Sequence, residues 1–121
     1  MPLEKVTLAE KFARFGDHWS PKIVGELNES YVKVVKVQGE VVWHHHEAED
    51  ERFLAVKGRL LMRLRDREIW LEEGEFLVVP RGVEHQPVAE EEAHLLVVEP
   101  KATLNTGNVH NERTLAELER L

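Results

Sequence analysis

The sequence predicts an all-β domain, a sandwich or a barrel. Three observations carry this. From residue 31 to residue 99, short β-branched and apolar runs follow one another with little between them. Most are bounded by Gly, Pro or charged turn residues, and several alternate apolar with polar side chains. Regularly spaced short strands of this kind close into two-sheet or barrel folds.

The chain opens on Thr7-Leu8-Ala9-Glu10, a capping-box pattern in which hydroxyl and carboxylate satisfy free backbone N–H groups. Leu8, Phe12 and Phe15 then recur at helical spacing and Gly16 can end the turn, so a short helix is expected over 7–15, packed by one face. Pro21 lies in an irregular stretch. Residues 31–37 form the first strand, Gly39 and Glu40 a turn, and 41–43 restart a strand. The runs 53–56, 60–64, 69–71, 76–79, 83–88 and 95–99 follow, with turns at Lys57-Gly58, Arg65-Asp66-Arg67, Glu72-Glu73-Gly74, Pro80-Arg81-Gly82 and residues 89–92. In the 60–64 run, Leu60, Met62 and Leu64 share one face and Arg63 the other, and the Arg65-Asp66-Arg67 tip suggests a hairpin. Asn105-Thr106-Gly107-Asn108 is loop composition. Thr114-Leu115-Ala116-Glu117 is a second capping-box pattern, from which a terminal helix to Leu121 is expected. The organisation expected is an N-terminal helix and extension over 1–28, a barrel over 29–104 and a tail over 105–121.

Composition excludes several classes. A chain of 121 residues is one domain by size, and 42% apolar with 32% charged residues is globular composition. There is no Cys, which removes disulfide scaffolds, Cys zinc sites and Cys nucleophiles. A net charge of −7 repels polyanions, so no nucleic-acid partner is expected. No apolar run approaches the roughly 20 residues that span a bilayer, and charges interrupt the first 15 residues. A soluble, cytoplasmic protein without a membrane partner is the expectation. The 20 Glu against 3 Asp follow a drift seen in heat-stable proteins, or simply supply a soluble surface.

The stretch that carries chemistry is Trp43-His44-His45-His46-Glu47-Ala48-Glu49-Asp50-Glu51. In a strand, residues two apart point the same way, so His44 and His46 share a face and His45 takes the other. Glu51 follows a turn and begins the next strand, where it can reach back. A distant fourth candidate is His85, aimed by the Pro80-Arg81-Gly82 turn. Three imidazoles and one carboxylate suit a divalent first-row metal such as Zn, Fe, Mn, Ni or Co.

These residues resemble the two motifs of the cupin family. Gly39, His44, His46, Glu51 and Gly58 are similar to the first, and Gly74, Pro80, Gly82 and His85 to the second. The resemblance covers residues 39–89. It implies a double-stranded β-helix (jelly-roll) barrel, with the short N- and C-terminal helices added to it, and a divalent transition metal held by His44, His46, Glu51 and His85. The whole chain, with its Asn-Thr-Gly-Asn tail, resembles small bacterial single-domain cupins of the mannose-6-phosphate isomerase-like kind. Two departures stand out: four residues separate Gly39 from His44 where the pattern has five, and Ala89 stands where an Asn often follows the second-motif His. Neither removes a ligand.

Phe53, Ala55, Met62 and Val78 are expected to line the barrel interior. His18, His94 and His110 are expected at the surface or in structural roles, and Arg52, Lys57, Arg59 and Arg81 as solvated strand-end charges rather than an anion site. Trp43 and Trp70 are expected to pack in a core or a dimer interface, and Glu90-Glu91-Glu92 to form a solvated turn. Glu84 neighbours His85, but alternation turns it away from the ligand face.

A metal-binding protein follows, with a small-molecule ligand or substrate. As a Lewis acid, the metal suits a sugar or sugar-phosphate isomerase, which also needs a general base that the sequence does not identify. A redox metal suits a dioxygenase, and a non-catalytic binding or sensing barrel is the third reading. Open sheet edges need cover, so a homodimer is expected, with the N-terminal segment contributing.

Overall fold

The structure is a computed structural model that describes residues 3–111, 114–115 and 117–121. Eight strands form a single hydrogen-bonded network in the jelly-roll manner: β1 (Lys22–Leu27), β2 (Ser30–Glu40), β3 (Glu51–Lys57), β4 (Leu60–Leu64), β5 (Glu68–Leu71), β6 (Phe76–Val79), β7 (His85–Pro100) and β8 (Glu119–Arg120). The path runs β5-β4-β7-β2-β1-β8, and β3 joins β7 to β6. One short helix, α1 (Leu8–Phe12), precedes them.

Strand β7 organises the barrel. One edge of it pairs with β2 along almost its whole length, while the other meets β4 through residues 85–88 and β3 through residues 94–98. Opposite β2, the register steps from Val37↔Ala93 to Gly39↔Ala89, so β7 carries two extra residues there. That is a bulge, which re-aims a strand. The sequence reads 83–88 and 95–99 as two strands with a turn at 89–92. Instead, Glu90, Glu91 and Glu92 are the exposed outer side of this bulge in a continuous strand. Gly58 meets it from the β3–β4 turn at a φ of +78°. A Cβ there would lie 3.1 Å from the Glu92 carbonyl oxygen, so only glycine lets the turn approach.

Alternation fills the interior. Val35 and Val37 from β2, Phe53 and Ala55 from β3, Leu60 and Met62 from β4, and Leu95 and Val97 from β7 form one buried cluster. Phe53, Ala55 and Met62 line it as expected, but Val78 is 46% exposed. On β6 the inward phase belongs to Leu77 and Val79.

Other expectations give way to longer-range pairing. The stretch after Pro21 is strand β1, hydrogen-bonded to β2. It is hidden in the sequence because its buried first residue is Lys22, whose Nζ donates to Asp17 Oδ2 at 2.9 Å and to Glu119 Oε1 at 3.1 Å. The C-terminal residues 119–120 are not helical but add a parallel strand beside β1. Thr114 turns its hydroxyl to Thr106 and Val109 rather than capping a helix, while Ala116 of that pattern lies outside the described residues. At the other end α1 is only five residues long, and Thr7 makes no side-chain cap bond. Glu10 pairs instead with Arg14. Phe12 does pack by its face, stacking on His94 with ring centroids 4.5 Å apart. Residues 41–43 join no named strand, and pairing resumes at His44.

Candidate metal centre

Four side chains from three stretches of the chain converge on one buried point. His44 pairs with His85 in an isolated antiparallel bridge: His44 N–H donates to the His85 carbonyl at 3.1 Å and His85 N–H to the His44 carbonyl at 2.9 Å. Two residues on, alternation brings His46 to the same side as His44. The Pro80-Arg81-Gly82 turn is clamped onto this segment, with Gly82 N–H donating to the His46 carbonyl at 2.7 Å and Arg81 N–H to Asp50 Oδ1 at 2.8 Å. Glu51 begins β3. One ligand-capable atom from each of His44, His46, Glu51 and His85 lies within 4.8 Å of all the others, and all four residues are buried.

The donors are preset. His44 Nδ1 lies 2.8 Å from the Val42 carbonyl and His85 Nδ1 2.9 Å from the Val83 carbonyl. A carbonyl only accepts, so each Nδ1 carries the proton and each Nε2 is left as a lone pair for a cation. Burial, reinforced by the neighbouring His85, pushes His44 down to about 4, so its ring is neutral at pH 7. Burial works against a charged Glu51, but the neighbouring Glu99, His46 and His85 side chains outweigh it and hold that carboxyl well below the usual range. Glu51 Oε1 stands 2.6 Å from His46 Nε2 and 3.4 Å from His85 Nε2. These three buried atoms have no hydrogen-bond partner in the protein. Orphaned polar atoms aimed at one another are costly, and a divalent cation among them satisfies all three. The residues therefore fit a metal.

The chain's comparisons agree with the geometry. Residues 31–99 match the model of the cupin domain family. The chain belongs to the cupin family. Its fold matches a cupin-2 domain containing protein from Shewanella frigidimarina NCIMB 400 at TM-score 0.79 and 44% identity, covering 79% of this chain and 94% of that one. Protein NMB1881 from Neisseria meningitidis matches at TM-score 0.74 and 29% identity, covering 81% of this cupin and all of that chain. Among curated proteins, YdbB of Bacillus subtilis (strain 168), an uncharacterized protein, is 33% identical over 78 residues. That match takes in 64% of this cupin and 63% of YdbB.

The remaining candidates fall outside the cluster. His45 faces the other way, partly exposed and 3.8 Å from Glu47. His18 and His94 both contact Glu92 at the surface, and Glu84 turns out to Arg65. Arg81 pairs with Asp50 in solvent, Arg59 lies 3.8 Å over the Trp70 ring, and Arg52 lies over Phe76. Trp70 is exposed and Trp43 half-buried under Arg65, so neither is a core residue.

Three features escape local sequence reading. The Asn-Thr-Gly-Asn tail is part of the site: Asn108 Oδ1 accepts from His45 N–H at 2.9 Å, and Gly107 packs its backbone against His44 and His45. An apolar cavity of about 60 Å³ opens beside His44 and Glu51, walled by Val37, Phe53, Leu95 and Val97, with Trp19 and Asn105 also lining it. Glu99 also lines the cavity, buried, with its Oε1 2.6 Å from Lys33 Nζ. Burial and the charge of Glu51 push the Glu99 carboxyl well above the usual range. Parity was the signal available: Glu99 is in phase with Leu95 and Val97, and Lys33 with Val35 and Val37.

Proposed function

We propose that this cupin is a metal-dependent enzyme that binds a small, unphosphorylated carbonyl or hydroxy compound beside the cation and isomerises it. The observation that carries the reading is the convergence of three imidazoles, two of them preset by backbone carbonyls, and one charged carboxylate beside an apolar cavity. A bound divalent metal would supply Lewis-acid polarisation of the ligand's oxygen. The protein would hold it through His44, His46, Glu51 and His85 and keep water off the site with Val37, Phe53, Leu95 and Val97. No lysine or arginine is among the described residues lining the cavity, which argues against a phosphate group. The cavity has room for a few heavy atoms only, so a sugar would enter by its carbonyl end, with the rest in the open mouth.

The apolar walls also suit oxygenation at a redox metal, the second reading. Tag-free protein loaded with each metal in turn tests both, with oxygen uptake measured beside a panel of sugar isomers. Isomer interconversion supports the first reading, and oxygen consumption with Fe(II) replaces it with the second. Ligand binding without turnover leaves a sensing barrel. We also propose a homodimer. Phe76 and Val78 are exposed on β6, which among the described strands pairs only with β3, and light scattering tests it.

A further inference from the structure

Trp19 enters the cavity from outside the barrel strands. It lies in the stretch between α1 and β1 and lines the same small space as His44 and Glu51. Its φ is +59°, in the left-handed region, where a bulky side chain crowds its own backbone. The Trp19 backbone N–H donates to the Lys36 carbonyl at 2.9 Å, and the indole N–H donates to the Gln38 carbonyl at 2.9 Å. One residue earlier, His18 forms a bridge with Lys36, and its Nε2 lies 2.7 Å from Glu92 Oε2. Backbone and ring of Trp19 are thus both tied to β2.

The turn at this position suits glycine, which takes a positive φ without cost. Any residue but proline would supply the N–H that Lys36 receives. What tryptophan adds is the indole, and the Gln38 carbonyl fixes where that ring lies. The ring packs against the buried cluster and forms part of the cavity wall. Strain kept at such a place points to a use for the side chain. The space is only about 60 Å³, so one indole decides what fits. A ligand that coordinates the cation through an oxygen has its next carbon inside this space. We propose that Trp19 is the specificity-determining residue of the cavity: its ring limits the ligand to a small group beside the coordinating oxygen, such as the terminal carbon of an aldehyde or a hydroxymethyl group, and turns away branched or cyclic ones. This rests on the ligand site proposed above.

The test uses acetohydroxamate and benzohydroxamate, which chelate a cation through the same two oxygens and differ only in the group next to them. Each is titrated into the cobalt(II)-loaded full chain and followed by calorimetry and by the visible spectrum of the ion. Wild type should bind acetohydroxamate at least about tenfold more tightly than benzohydroxamate, as expected where one group does not fit a pocket. Trp19→Gly, which suits the left-handed backbone and empties the place of the ring, should bring the two probes within about threefold or reverse their order. Trp19→Phe keeps a ring against the core and should fall between, and it decides the matter where Trp19→Gly does not fold. Both variants should take up cobalt as wild type does, since Trp19 is not one of the four donors. No preference in wild type, or the wild-type preference kept in the folded variants, would overturn this proposal alone. Wild type that loads cobalt but binds neither hydroxamate would overturn it together with the ligand site, and wild type that takes up no cobalt would overturn the metal centre beneath both.

Discussion

His44 and His85 are locked together by two reciprocal backbone hydrogen bonds, with ring centroids 4.4 Å apart, although 41 positions separate them in the chain. The bridge sets their mutual position before any ion arrives. The cost of assembling the site is thus met largely by the fold, as strong metal binding requires.

The first prediction concerns ligand identity. His44→Ala and His85→Ala should each lower metal affinity by more than the roughly 10–100-fold typical of an outer partner, since each removes a donor. His45→Ala should leave it unchanged, because that ring points away from the cluster. Equal losses at 45 and 46, measured by competition with a chelating dye, would mean that the strand phase is misassigned.

The second concerns pH. His44 takes up its second, charging proton only below about 4 in the folded, metal-free protein, against about 6.5 unfolded. Between these values the unfolded chain takes up a proton that the folded chain refuses. This group therefore removes stability as pH falls from about 6.5 to 4, by roughly 3 kcal/mol in all, and nothing further below. The stability gap between wild type and His44→Gln, from urea melts of metal-free protein, should narrow by that amount from pH 7 to pH 4. A constant gap, or a His44 ring that titrates near 6.5 by NMR, would contradict it.

The third concerns the tail. A Cβ on Gly107 would collide with the His45 carbonyl and lie 2.9 Å from His44 Cδ2, and the residue's φ is +56°. Gly107→Ala should lower both stability and metal affinity, whereas Gly16→Ala, where a Cβ meets nothing, should change neither. Metal affinity in Gly107→Ala equal to wild type would separate the tail from the site.

The legible parts of this molecule are those whose signal is local. Leu60, Met62 and Leu64 declare a strand by parity, the Arg65-Asp66-Arg67 tip forms its hairpin, and His44, His46, Glu51 and His85 declare a donor set by chemistry and spacing. What stayed hidden depends on partners far along the chain. Lys22 reads as exposed until Asp17 and Glu119 surround it. Glu99 reads as a strand end until Lys33 and Glu51 are placed beside it. The Glu90-Glu91-Glu92 run is charged enough to be a turn, and only pairing with β2 makes it a bulge. Thr114 fits a helix cap by sequence, yet Thr106 and Val109 take its hydroxyl.

The fourth prediction is that the metal couples to folding. Binding to the folded state alone should raise stability by about 2.7 kcal/mol at a free metal concentration one hundred times Kd. A chelator should reverse the gain. Identical melting curves with and without metal would show that the four residues bind no ion.

The most direct measurement is an anomalous difference map from crystals grown with zinc or cobalt, using protein without an affinity tag. One peak per chain is expected, in contact with the Nε2 atoms of His44, His46 and His85 and with a Glu51 carboxylate oxygen. A well-ordered barrel with no peak there, or with its metal bound only elsewhere, would contradict the account.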